Sequence, residues 1–386
     1  MYTIRKKVLI VTALGGFIRS FLTNDIKILQ KMGYEVHCAA NNNHPGNEGL
    51  SDYFRDNNVI FHQVDFSSSK PFSMDTIHAY VQLKEILRHN SFVAIHSHTP
   101  IAAAVCRWAA KKYRRKGTNI IYTVHGFFFH RGSSKKSWII YRSIEWFLAR
   151  YTDAIITINK EDFKNAKNMH FKKVYYIPGV GVDTEKFKKC NINRDEYRKN
   201  IGIKKDDFLI LAIGELSKRK NHKIILEAIS KLSIPNIVFM ICGNSMTEAN
   251  TTDLLKSLAK QYNIDLRLMG LRQDIPQICK CADIGVMPST REGLGLSGIE
   301  MLASGLPIVA SNVHGILDYV KDGVNGYLAN PYSCEEFAEG ILKLYMTKID
   351  KKICQKSVEK FDIKNSYDAM SRIYNQLLDG VNNGIL

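Results

Sequence analysis

Short apolar runs alternate with longer amphipathic segments along the whole chain of 386 residues. Runs such as Lys7–Thr12 and Ile237–Ile241 are apolar at nearly every position, which is typical of strands covered on both faces. Segments such as Met74–Arg88 and Thr251–Tyr262 instead repeat apolar residues at helical spacing. The alternation predicts an α/β fold in which parallel sheets are flanked by helices.

The same rhythm runs through both halves of the chain. The predicted strands are Lys7–Thr12, Val36–Ala40, Val59–His62, Val93–His96, Asn119–Val124, Ala154–Ile158, Phe208–Ile213, Ile237–Ile241, Asp265–Leu268, Ile284–Met287 and Ile308–Ala310. The predicted helices are Ile18–Met32, Met74–Arg88, Ala102–Arg115, Lys136–Ala149, Lys160–Met169, His222–Leu232, Thr251–Tyr262, Ile275–Cys281, Leu296–Ser304 and Cys334–Tyr345.

The length favours two domains, because one hydrophobic core rarely serves so long a chain. A Pro/Gly cluster from Ile177 to Asp183 follows a strand and predicts a hinge. We therefore expect a doubly wound domain over residues 1–182 and a second one from residue 183. Ligands of such sheets bind beyond the carboxyl ends of the strands, so the chemistry is expected in a cleft between the two domains.

The charge and the cysteine content limit the classes of binding partner and the cellular location that the sequence predicts. The net charge is +17, and residues 1–185 hold 26 Lys and Arg against 14 Asp and Glu. Such an excess attracts an anionic membrane face or a pyrophosphate-linked substrate, and no nucleic-acid motif supports a third partner. The eight cysteines show no Cys-x-x-Cys pair, and the first apolar run contains no clear cleavage site. Both features favour a cytoplasmic location without structural zinc or disulfides.

The most informative stretch runs from Ser289 to Glu300, between a predicted strand and a predicted helix. Its glycines allow a ligand to approach the backbone at a helix N-terminus, which suits a phosphate. Glu292 lies in the turn and Glu300 in the first helical turn, where carboxylates can accept hydrogen bonds from hydroxyl groups. Phosphate donors beside hydroxyl acceptors predict a nucleotide-sugar site. For Glu300 a capping box with Ser297 is the alternative.

Two further turns could hold phosphate. Gly15 and Gly16 follow the first strand and open a helix, although a tight structural turn explains them equally well. Arg219 and Lys220 stand where the segment after Phe208–Ile213 enters a helix. Cations are unfavourable at the positive end of a helix, which favours a diphosphate ligand over a solvated basic turn.

Histidines and aromatic residues add a second group of candidates. His125 ends a strand beside a glycine, where it suits proton or hydrogen-bond chemistry in a cleft, whereas an isolated histidine is often structural. Phe127, Phe128 and Phe129 follow it and either pack inward or face an apolar partner. With Arg131, Lys135, Lys136 and Trp138 they form a candidate acceptor or membrane surface. His96 and His98 lack a third metal ligand, and the chain has no Asp-x-Asp pair, so no metal is expected.

These motifs together resemble the retaining two-domain glycosyltransferases of family four, of the GT-B type. The resemblance lies in Glu292-x7-Glu300, the Gly15-Gly16 loop, the Gly214-Glu215-Leu216-x-x-x-Lys220 segment and Thr123-Val-His-Gly-Phe127, and it covers nearly the whole chain. Within that family the chain is similar to bacterial enzymes that build capsular or exopolysaccharide units and lipid-linked oligosaccharides.

The resemblance implies a role for each matching residue. Glu292 would contact the donor sugar and Glu300 the nucleotide ribose, with the backbone of Gly293, Leu294, Gly295 and Leu296 near phosphate and sugar. Lys220 and Arg219 would hold the diphosphate, Gly15 and Gly16 would border donor and acceptor, and His125 would touch the reacting sugar. Many relatives have Gly-Arg where this chain has Gly214-Glu215, so another cation, Lys218, Arg219 or Lys220, must replace that arginine.

It also implies that a donor-binding domain over 183–365 is followed by a C-terminal segment, 366–386, which returns as a helix to the first domain. The expected activity is metal-independent transfer, with retention, from a nucleotide sugar with UDP as the favoured carrier. The expected acceptor is a glycan or a polyprenyl-diphosphate-linked sugar at the inner membrane face. A UDP-N-acetylglucosamine 2-epimerase-like enzyme of the same architecture and a non-catalytic membrane-associated scaffold remain as alternatives.

Overall fold

A computed structural model describes residues 5–43, 47–67, 73–245 and 251–382, the last four of these by their backbone alone. Its strands are β1 (Lys7–Leu14), β2 (Glu35–Asn41), β3 (Ile60–Gln63), β4 (Phe92–His98), β5 (Asn119–Val124), β6 (Ala154–Thr157), β7 (Lys173–Tyr176), β8 (Phe208–Ile213), β9 (Ile237–Cys242), β10 (Asp265–Leu268), β11 (Ile284–Met287), β12 (Ile308–Ser311) and β13 (Gly326–Ala329).

The α-helices are α1 (Gly15–Phe21), α2 (Thr23–Lys31), α3 (Leu50–Asp56), α4 (Met74–His89), α5 (Pro100–Arg114), α6 (Lys135–Ala149), α7 (Lys160–Lys167), α8 (Thr184–Lys189), α9 (Arg194–Asn200), α10 (Lys223–Ile229), α11 (Thr252–Gln261), α12 (Ile275–Cys281), α13 (Leu296–Ala303), α14 (Cys334–Met346), α15 (Lys351–Val358) and α16 (Ile363–Asn382). Single 3₁₀ turns lie at His314–Asp318 and Glu359–Phe361.

The chain forms two compact units, each built on one parallel sheet. The first unit consists of residues up to Val180 together with those from Lys364 onward, and the second is Gly181–Ile363. The strand order is β3-β2-β1-β4-β5-β6-β7 in the first unit and β10-β9-β8-β11-β12-β13 in the second. All paired strands run parallel, so the predicted α/β fold with two doubly wound sheets is confirmed.

The central strands are buried because helices cover both faces of each sheet. In β1 the residues from Val8 to Val11 have no exposed surface, and β8 is buried from Leu209 to Ala212. This burial explains why the sequence of these strands is apolar at consecutive positions rather than at alternate ones.

The prediction of one continuous helix over Ile18–Met32 is wrong. It is two helices, α1 and α2, that meet at Leu22, where φ −117° and ψ 7° leave the helical region. Buried Ile18, Leu22 and Ile26 continue the apolar spacing across this break. Periodicity alone therefore could not reveal the junction.

The elements that the pattern missed are short or lie at sheet edges: β7, β13, α3, α8, α9 and α15. β7 and β13 are the outermost strands of their sheets and are only partly buried, so their residues are not uniformly apolar. The C-terminal helix α16 belongs to the first unit, where Tyr374 and Leu378 are fully buried. Residues 383–386 of the predicted C-terminal segment, and 1–4 of the predicted first domain, lie outside the described residues.

Candidate functional site

The loop after β11 carries the first predicted carboxylate. β11 ends at Met287 and α13 begins at Leu296, with Gly295 as the N-cap in the left-handed region at φ +83°. The first N–H groups of a helix lack intrahelical partners and attract anions. The predicted strand, glycine-rich turn and helix are therefore confirmed, and the turn delivers Glu292 beside a helix N-terminus.

Two cations from another segment reach Glu292. Lys220 Nζ donates a hydrogen bond to Glu292 Oε1 at 2.7 Å, and Arg219 Nη1 donates to the same oxygen at 3.1 Å. Arg219 also donates to the carbonyl oxygen of Arg291 at 3.2 Å, while its own carbonyl accepts the N–H of Thr290 at 2.9 Å. The structure thus brings three predicted site residues into direct contact.

The order of strands explains this contact. β8 and β11 are hydrogen-bonded neighbours, and both run in the same direction. The segment that contains Lys220 follows β8 and the loop that contains Glu292 follows β11, so both leave the same end of the sheet. Carboxyl ends of adjacent parallel strands are where ligands of doubly wound sheets bind.

The charge of Glu292 is fixed by these neighbours. Burial of the Glu292 carboxyl favours its neutral form, but the charges of Lys220 and Arg219 outweigh burial and lower the pKa of Glu292 to about 2. The carboxylate is therefore ionised at neutral pH. In that state it accepts hydrogen bonds and has no proton to donate.

Glu300 is not engaged in helix capping. The N-cap of α13 is Gly295, and the part of the chain that the structure describes shows no side-chain capping bond at this helix end, so the capping box of Ser297 and Glu300 is wrong. Burial raises the pKa of the Glu300 carboxyl, and the charges of Lys186 and Lys220 oppose that rise. Glu300 thus lies in the first turn of α13 within the electrostatic reach of Lys220.

Tyr319 packs against the glycines of this loop. Its hydroxyl donates to the carbonyl of Gly295 at 3.0 Å, and a Cβ at Gly298 would lie 2.3 Å from that hydroxyl. A Cβ at Gly295 would lie 2.2 Å from Cε of Met287. Real Cβ atoms do not approach other atoms so closely, so a side chain at either glycine would have to displace Met287 or Tyr319.

The other two loop residues of the predicted phosphate contact differ in burial. Leu294 is 3 % exposed and belongs to the core, whereas Leu296 is half-buried. The carbonyl oxygen of Gly293 would lie 2.1 Å from a Cβ at Gly315. Close packing of Gly315 therefore holds the loop just after Glu292.

The contacts of the segment after β8 account for the glycine at Gly214 and show what Glu215 does there. Gly214 has φ +155°, and a Cβ there would lie 3.0 Å from Cε of Lys220, whose stem passes over it. Glu215, which stands where many relatives have arginine, places Oε2 3.8 Å from Nη2 of Arg219. Lys218 is exposed. Of the three candidate cations, Arg219 and Lys220 are the two that contact Glu292.

Gly15 and Gly16 lie in the first unit, at the start of α1. The N–H of Gly16 donates to Oδ1 of Asn47 at 3.1 Å, and a Cβ at Gly16 would lie 2.8 Å from that oxygen. One backbone donor of the predicted anion cradle is thus already bonded to a side chain. The donor-binding role of the two glycines stays a prediction.

His125 follows β5 in the first unit and is partly exposed. Its Nε2 lies 3.1 Å from Nδ1 of His98, the last residue of β4. Phe17 packs edge-on against the ring, with 4.9 Å between ring centroids. Burial lowers the pKa of His125 to about 4, so the imidazole is neutral at physiological pH.

A buried polar chain behind His125 was not foreseen from the sequence. His96 Nε2 lies 2.7 Å from the hydroxyl of Thr123, its Nδ1 lies 2.7 Å from the hydroxyl of Tyr374, and that hydroxyl donates to Asp25 at 2.9 Å. These hydrogen bonds join β5, β4, α16 and α2 inside the first unit. The only signal in the sequence is the polar run His96-Ser97-His98 at the end of an otherwise apolar strand.

Part of the predicted acceptor or membrane surface is wrong. Phe127 and Phe129 are 2 % and 1 % exposed and stack on each other at 4.5 Å between centroids, so they form core. Phe128 is half-buried against Tyr141. Trp138 and Tyr141 of α6 pack against Phe129 and Phe128, at 5.4 and 4.9 Å between ring centroids.

The cations of that prediction are exposed, with Arg131 in the turn before α6 and Lys135 and Lys136 at the start of that helix. Exposed apolar side chains were missed and lie farther along the same helix, at Ile139 (71 % exposed), Ile140, Trp146 and Phe147. Lys111 and Arg150 lie over Trp108 and Phe147 at 3.3 and 4.7 Å from the ring centroids. The exposed surface therefore mixes aromatic, aliphatic and cationic side chains.

Within the described ranges, no helix combines the length and the apolar character that crossing a bilayer requires. The same ranges contain no group of three or more His, Cys, Asp and Glu side chains that could hold a metal ion.

Comparisons with known proteins cover both units. The family model of glycosyltransferase family 4 matches residues 23–186, and that of glycosyl transferases group 1 matches residues 193–361. The putative glycosyltransferase EpsD of Bacillus subtilis is 30 % identical over 383 residues, which are 97 % of each chain. The UDP-Gal:α-D-GlcNAc-diphosphoundecaprenol α-1,3-galactosyltransferase of Escherichia coli is 28 % identical and covers 84 % of this chain and 86 % of its own.

Solved structures agree on the fold. HepE of Anabaena, crystallised with UDP and glucose, superimposes with a TM-score of 0.77 at 17 % identity and covers 96 % of this chain and 100 % of its own. The sequence likeness extends over both units, and the two parallel sheets match those of GT-B enzymes. This chain belongs to the group 1 and family 4 glycosyltransferases of GT-B fold.

Proposed function

We propose that this glycosyltransferase moves a sugar, with retention of anomeric configuration and without a metal ion, from a UDP-sugar to a glycan or polyprenyl-diphosphate-linked acceptor. Its proposed setting is cell-surface polysaccharide synthesis, and the sugar is a hexose or an N-acetylhexosamine. The observation that carries the proposal is the buried Glu292 carboxylate, held ionised by Lys220 and Arg219 beside the N-terminus of α13.

The charges at this site suit departure of a diphosphate. As the bond from the sugar to the diphosphate breaks, negative charge develops on the leaving oxygen. Lys220 and Arg219 supply two positive charges, and the first N–H groups of α13 supply hydrogen-bond donors. These groups can take the neutralising role that a divalent ion has elsewhere.

Glu292 acts by orientation in this proposal. Because it is ionised, it accepts hydrogen bonds from hydroxyl groups of the donor sugar and does not protonate the leaving group. Glu300 would accept from the ribose hydroxyls, and His125 would contact the reacting sugar. The proton of the acceptor hydroxyl passes to the leaving diphosphate oxygen on the same face of the sugar, which gives retention.

The choice of nucleotide and acceptor rests on the relatives. The name of the Escherichia coli relative contains a UDP-sugar donor and a diphosphoundecaprenol acceptor, and HepE was crystallised with UDP and glucose. An acceptor of that kind is embedded in a membrane. The exposed apolar and cationic side chains of α6 support peripheral binding to an anionic inner leaflet on the cytoplasmic side.

The decisive experiment offers a panel of nucleotide sugars with and without a synthetic polyprenyl-diphosphate sugar, with and without EDTA. We expect UDP release that depends on the acceptor and is unchanged by EDTA, and a product with the anomeric configuration of the donor. Epimerised nucleotide sugar without acceptor would instead support the epimerase. Loss of activity with EDTA would overturn metal independence.

A variant pair links the activity to the site. Glu292→Gln should reduce transfer by about 100-fold or more, since an oriented ionic contact at the reacting group is lost. Glu335→Gln is the matched control, because Glu335 forms a carboxylate–lysine contact of 3.1 Å with Lys231 on the exposed surface. Equal activity of the two variants would remove Glu292 from the site.

Membrane binding needs a separate test. Sedimentation with vesicles containing phosphatidylglycerol should retain the protein, and purely zwitterionic vesicles should retain much less. The double variant Ile139→Ser/Trp146→Ser should weaken binding, whereas substitution of the buried pair Phe127 and Phe129 is not an informative test because it would disturb the core. Binding unchanged by the double variant would exclude α6 as the contact surface.

A further inference from the structure

His98 and His125 form a pair of imidazoles at the ends of two adjacent strands. His98 is the last residue of β4, and His125 follows β5, which pairs with β4 in parallel. The two rings are joined by one hydrogen bond of 3.1 Å between Nδ1 of His98 and Nε2 of His125. His98 is 1 % exposed, whereas His125 is partly exposed.

We propose that His98 is a positioning residue that fixes the tautomer of His125, so that His125 carries its proton on Nδ1 and presents an N–H donor to the reacting sugar. This inference rests on the proposed function, in which His125 contacts that sugar. It adds a residue outside the motifs that the family resemblance supplied, and it assigns a direction to the contact.

The number of N–H groups on the two rings limits which of them can donate in the hydrogen bond between His98 and His125. Burial lowers the pKa of both imidazoles, so each ring is neutral and carries one N–H. In the bond between His98 and His125, one ring must therefore donate and the other accept. The donor is decided by what the remaining nitrogen of His98 can do.

Nε2 of His98 is buried and has no hydrogen-bond partner among the residues that the structure describes. A buried N–H without an acceptor costs free energy, whereas an unused lone pair on nitrogen costs less. His98 therefore keeps its proton on Nδ1 and donates it to Nε2 of His125. Since His125 accepts at Nε2, its own proton is on Nδ1.

The surroundings hold this arrangement in place. Phe17 packs edge-on against His125 at 4.9 Å, and the ring of His96 lies 4.1 Å from that of His98 between centroids. Among the described residues, the ring of His125 hydrogen-bonds only with His98. Its Nδ1–H is thus available to a ligand, and as a donor it can polarise a sugar oxygen but cannot accept the proton of the acceptor hydroxyl.

Nitrogen-15 NMR of the histidine-labelled full-length protein tests the tautomer directly, because protonated and unprotonated ring nitrogens differ strongly in chemical shift. We expect a protonated Nδ1 and an unprotonated Nε2 on His125, assigned with a His125→Gln spectrum. The opposite pattern, with protons on Nε2 of both rings, would overturn the proposal.

An isosteric pair of variants tests the consequence for transfer. Asparagine can donate from Nδ2 at the place of His98 Nδ1, whereas the carboxylate of aspartate only accepts. His98→Asn should therefore keep most of kcat. His98→Asp requires the proton of His125 on Nε2, and because a nearby carboxylate raises the pKa of an imidazole, kcat should fall by about tenfold or more at a pH high enough to keep His125 neutral. The donor KM should change less than kcat in the aspartate variant.

A second histidine pair in the same sheet provides the control. His37 Nδ1 and His62 Nε2 lie 2.8 Å apart on β2 and β3, so His62→Asn also breaks a histidine–histidine hydrogen bond. We expect unchanged kcat in this variant. Equal kcat in His98→Asn and His98→Asp would contradict the tautomer role, even if both variants fold.

The outcomes separate this inference from the proposed function. If wild-type protein transfers no sugar from any donor, the proposed function fails, while the NMR spectrum still decides the tautomer. If transfer occurs but His125 is protonated on Nε2, the proposed function stands and the role of His98 is wrong.

Discussion

Lys220 Nζ lies 2.7 Å from Glu292 Oε1, and the two side chains are only 13 % and 10 % exposed. The contact joins segments that are 72 residues apart in sequence, and it forms within the second unit. An ion pair so far withdrawn from water has little compensation from solvent when either partner is lost. The stability of the second unit and the proposed activity are therefore expected to depend on the same ion pair.

Removal of one partner should affect the two residues unequally. Lys220→Met leaves a buried carboxylate with Arg219 as its remaining cation, and we expect a loss of about 3 kcal/mol in the free energy of unfolding. Glu292→Gln keeps the shape and an acceptor, and should cost about 1 kcal/mol. Urea unfolding of both variants and of the double variant measures the difference. A double variant whose loss equals the sum of the single losses would show that the pair is not coupled.

The sequence predicted the local part of this site and not its assembly. A strand, a glycine-rich turn and a helix around Glu292 follow from short-range patterns, as does the basic segment at Lys220. That the two meet depends on β11 pairing with β8, and β9 and β10 lie between them in the chain but not at that edge of β8. Spacing along the chain carries no information on such an order of strands.

The sequence predictions that were wrong or incomplete also have specific structural reasons. Ser297 and Glu300 have the spacing of a capping box, but Gly295 in the left-handed region starts the helix and places Ser297 within its first turn. Three phenylalanines after β5 were indistinguishable in sequence, whereas in the fold Phe127 stacks on Phe129 in the core and Phe128 is half-buried against Tyr141. The hydrogen bond between His98 and His125 could not be predicted, because the two residues are 27 positions apart in sequence.

Gly298 should tolerate no side chain while Tyr319 keeps its place. A Cβ at Gly298 would lie 2.3 Å from the hydroxyl and 3.0 Å from Cε2 of Tyr319, so Gly298→Ala must displace a fully buried ring. We expect a loss of about 2 kcal/mol by thermal or urea unfolding, in the range of overpacked cores. Gly323→Ala is a control for an added methyl group in open space, although its φ of +71° adds strain of its own.

The double variant Gly298→Ala/Tyr319→Phe refines this prediction. Removal of the hydroxyl takes away the closest atom, so the double variant should recover part of the stability that Gly298→Ala loses, despite the lost hydrogen bond to Gly295. No recovery would mean that the ring, or Met287 at 2.7 Å, sets the limit.

Glu300→Gln should separate donor binding from stability. Burial raises the pKa of the Glu300 carboxyl, and α13 does not depend on it for capping, so removal of its charge should leave the free energy of unfolding within about 0.5 kcal/mol. If Glu300 accepts from the ribose, the donor KM should rise about tenfold, because a neutral amide is a weaker acceptor than a carboxylate. Kinetics at varied donor concentration measure this. An unchanged KM together with lower kcat would place Glu300 at the reacting sugar instead.

The contribution of Asp25 to the stability of the first unit should fall as pH rises. Burial raises the pKa of Asp25 from its usual value of 3.8 to about 6, although the hydrogen bond from Tyr374 opposes the rise. Between these two pH values the folded chain binds the proton more tightly than the unfolded chain. The contribution of Asp25 to stability is therefore greatest below about pH 4, falls as pH rises to about 6, and stays low above it.

Asp25→Asn keeps an oxygen that can accept from Tyr374 and removes the charge that burial disfavours. Unfolding in urea at pH 7.5 should show this variant to be more stable than wild type by about 1 to 3 kcal/mol, and the gain should vanish towards pH 4. Asp52→Asn, on an exposed face of α3, controls for the loss of one negative charge from a basic protein. A gain of the same size at both pH values, or in both variants, would show that general charge and not the burial of Asp25 is responsible. A variant less stable than wild type at pH 7.5 would mean that the bond from Tyr374 requires the carboxylate, and that the chain from Thr123 through His96 to Asp25 is stabilised by its charge.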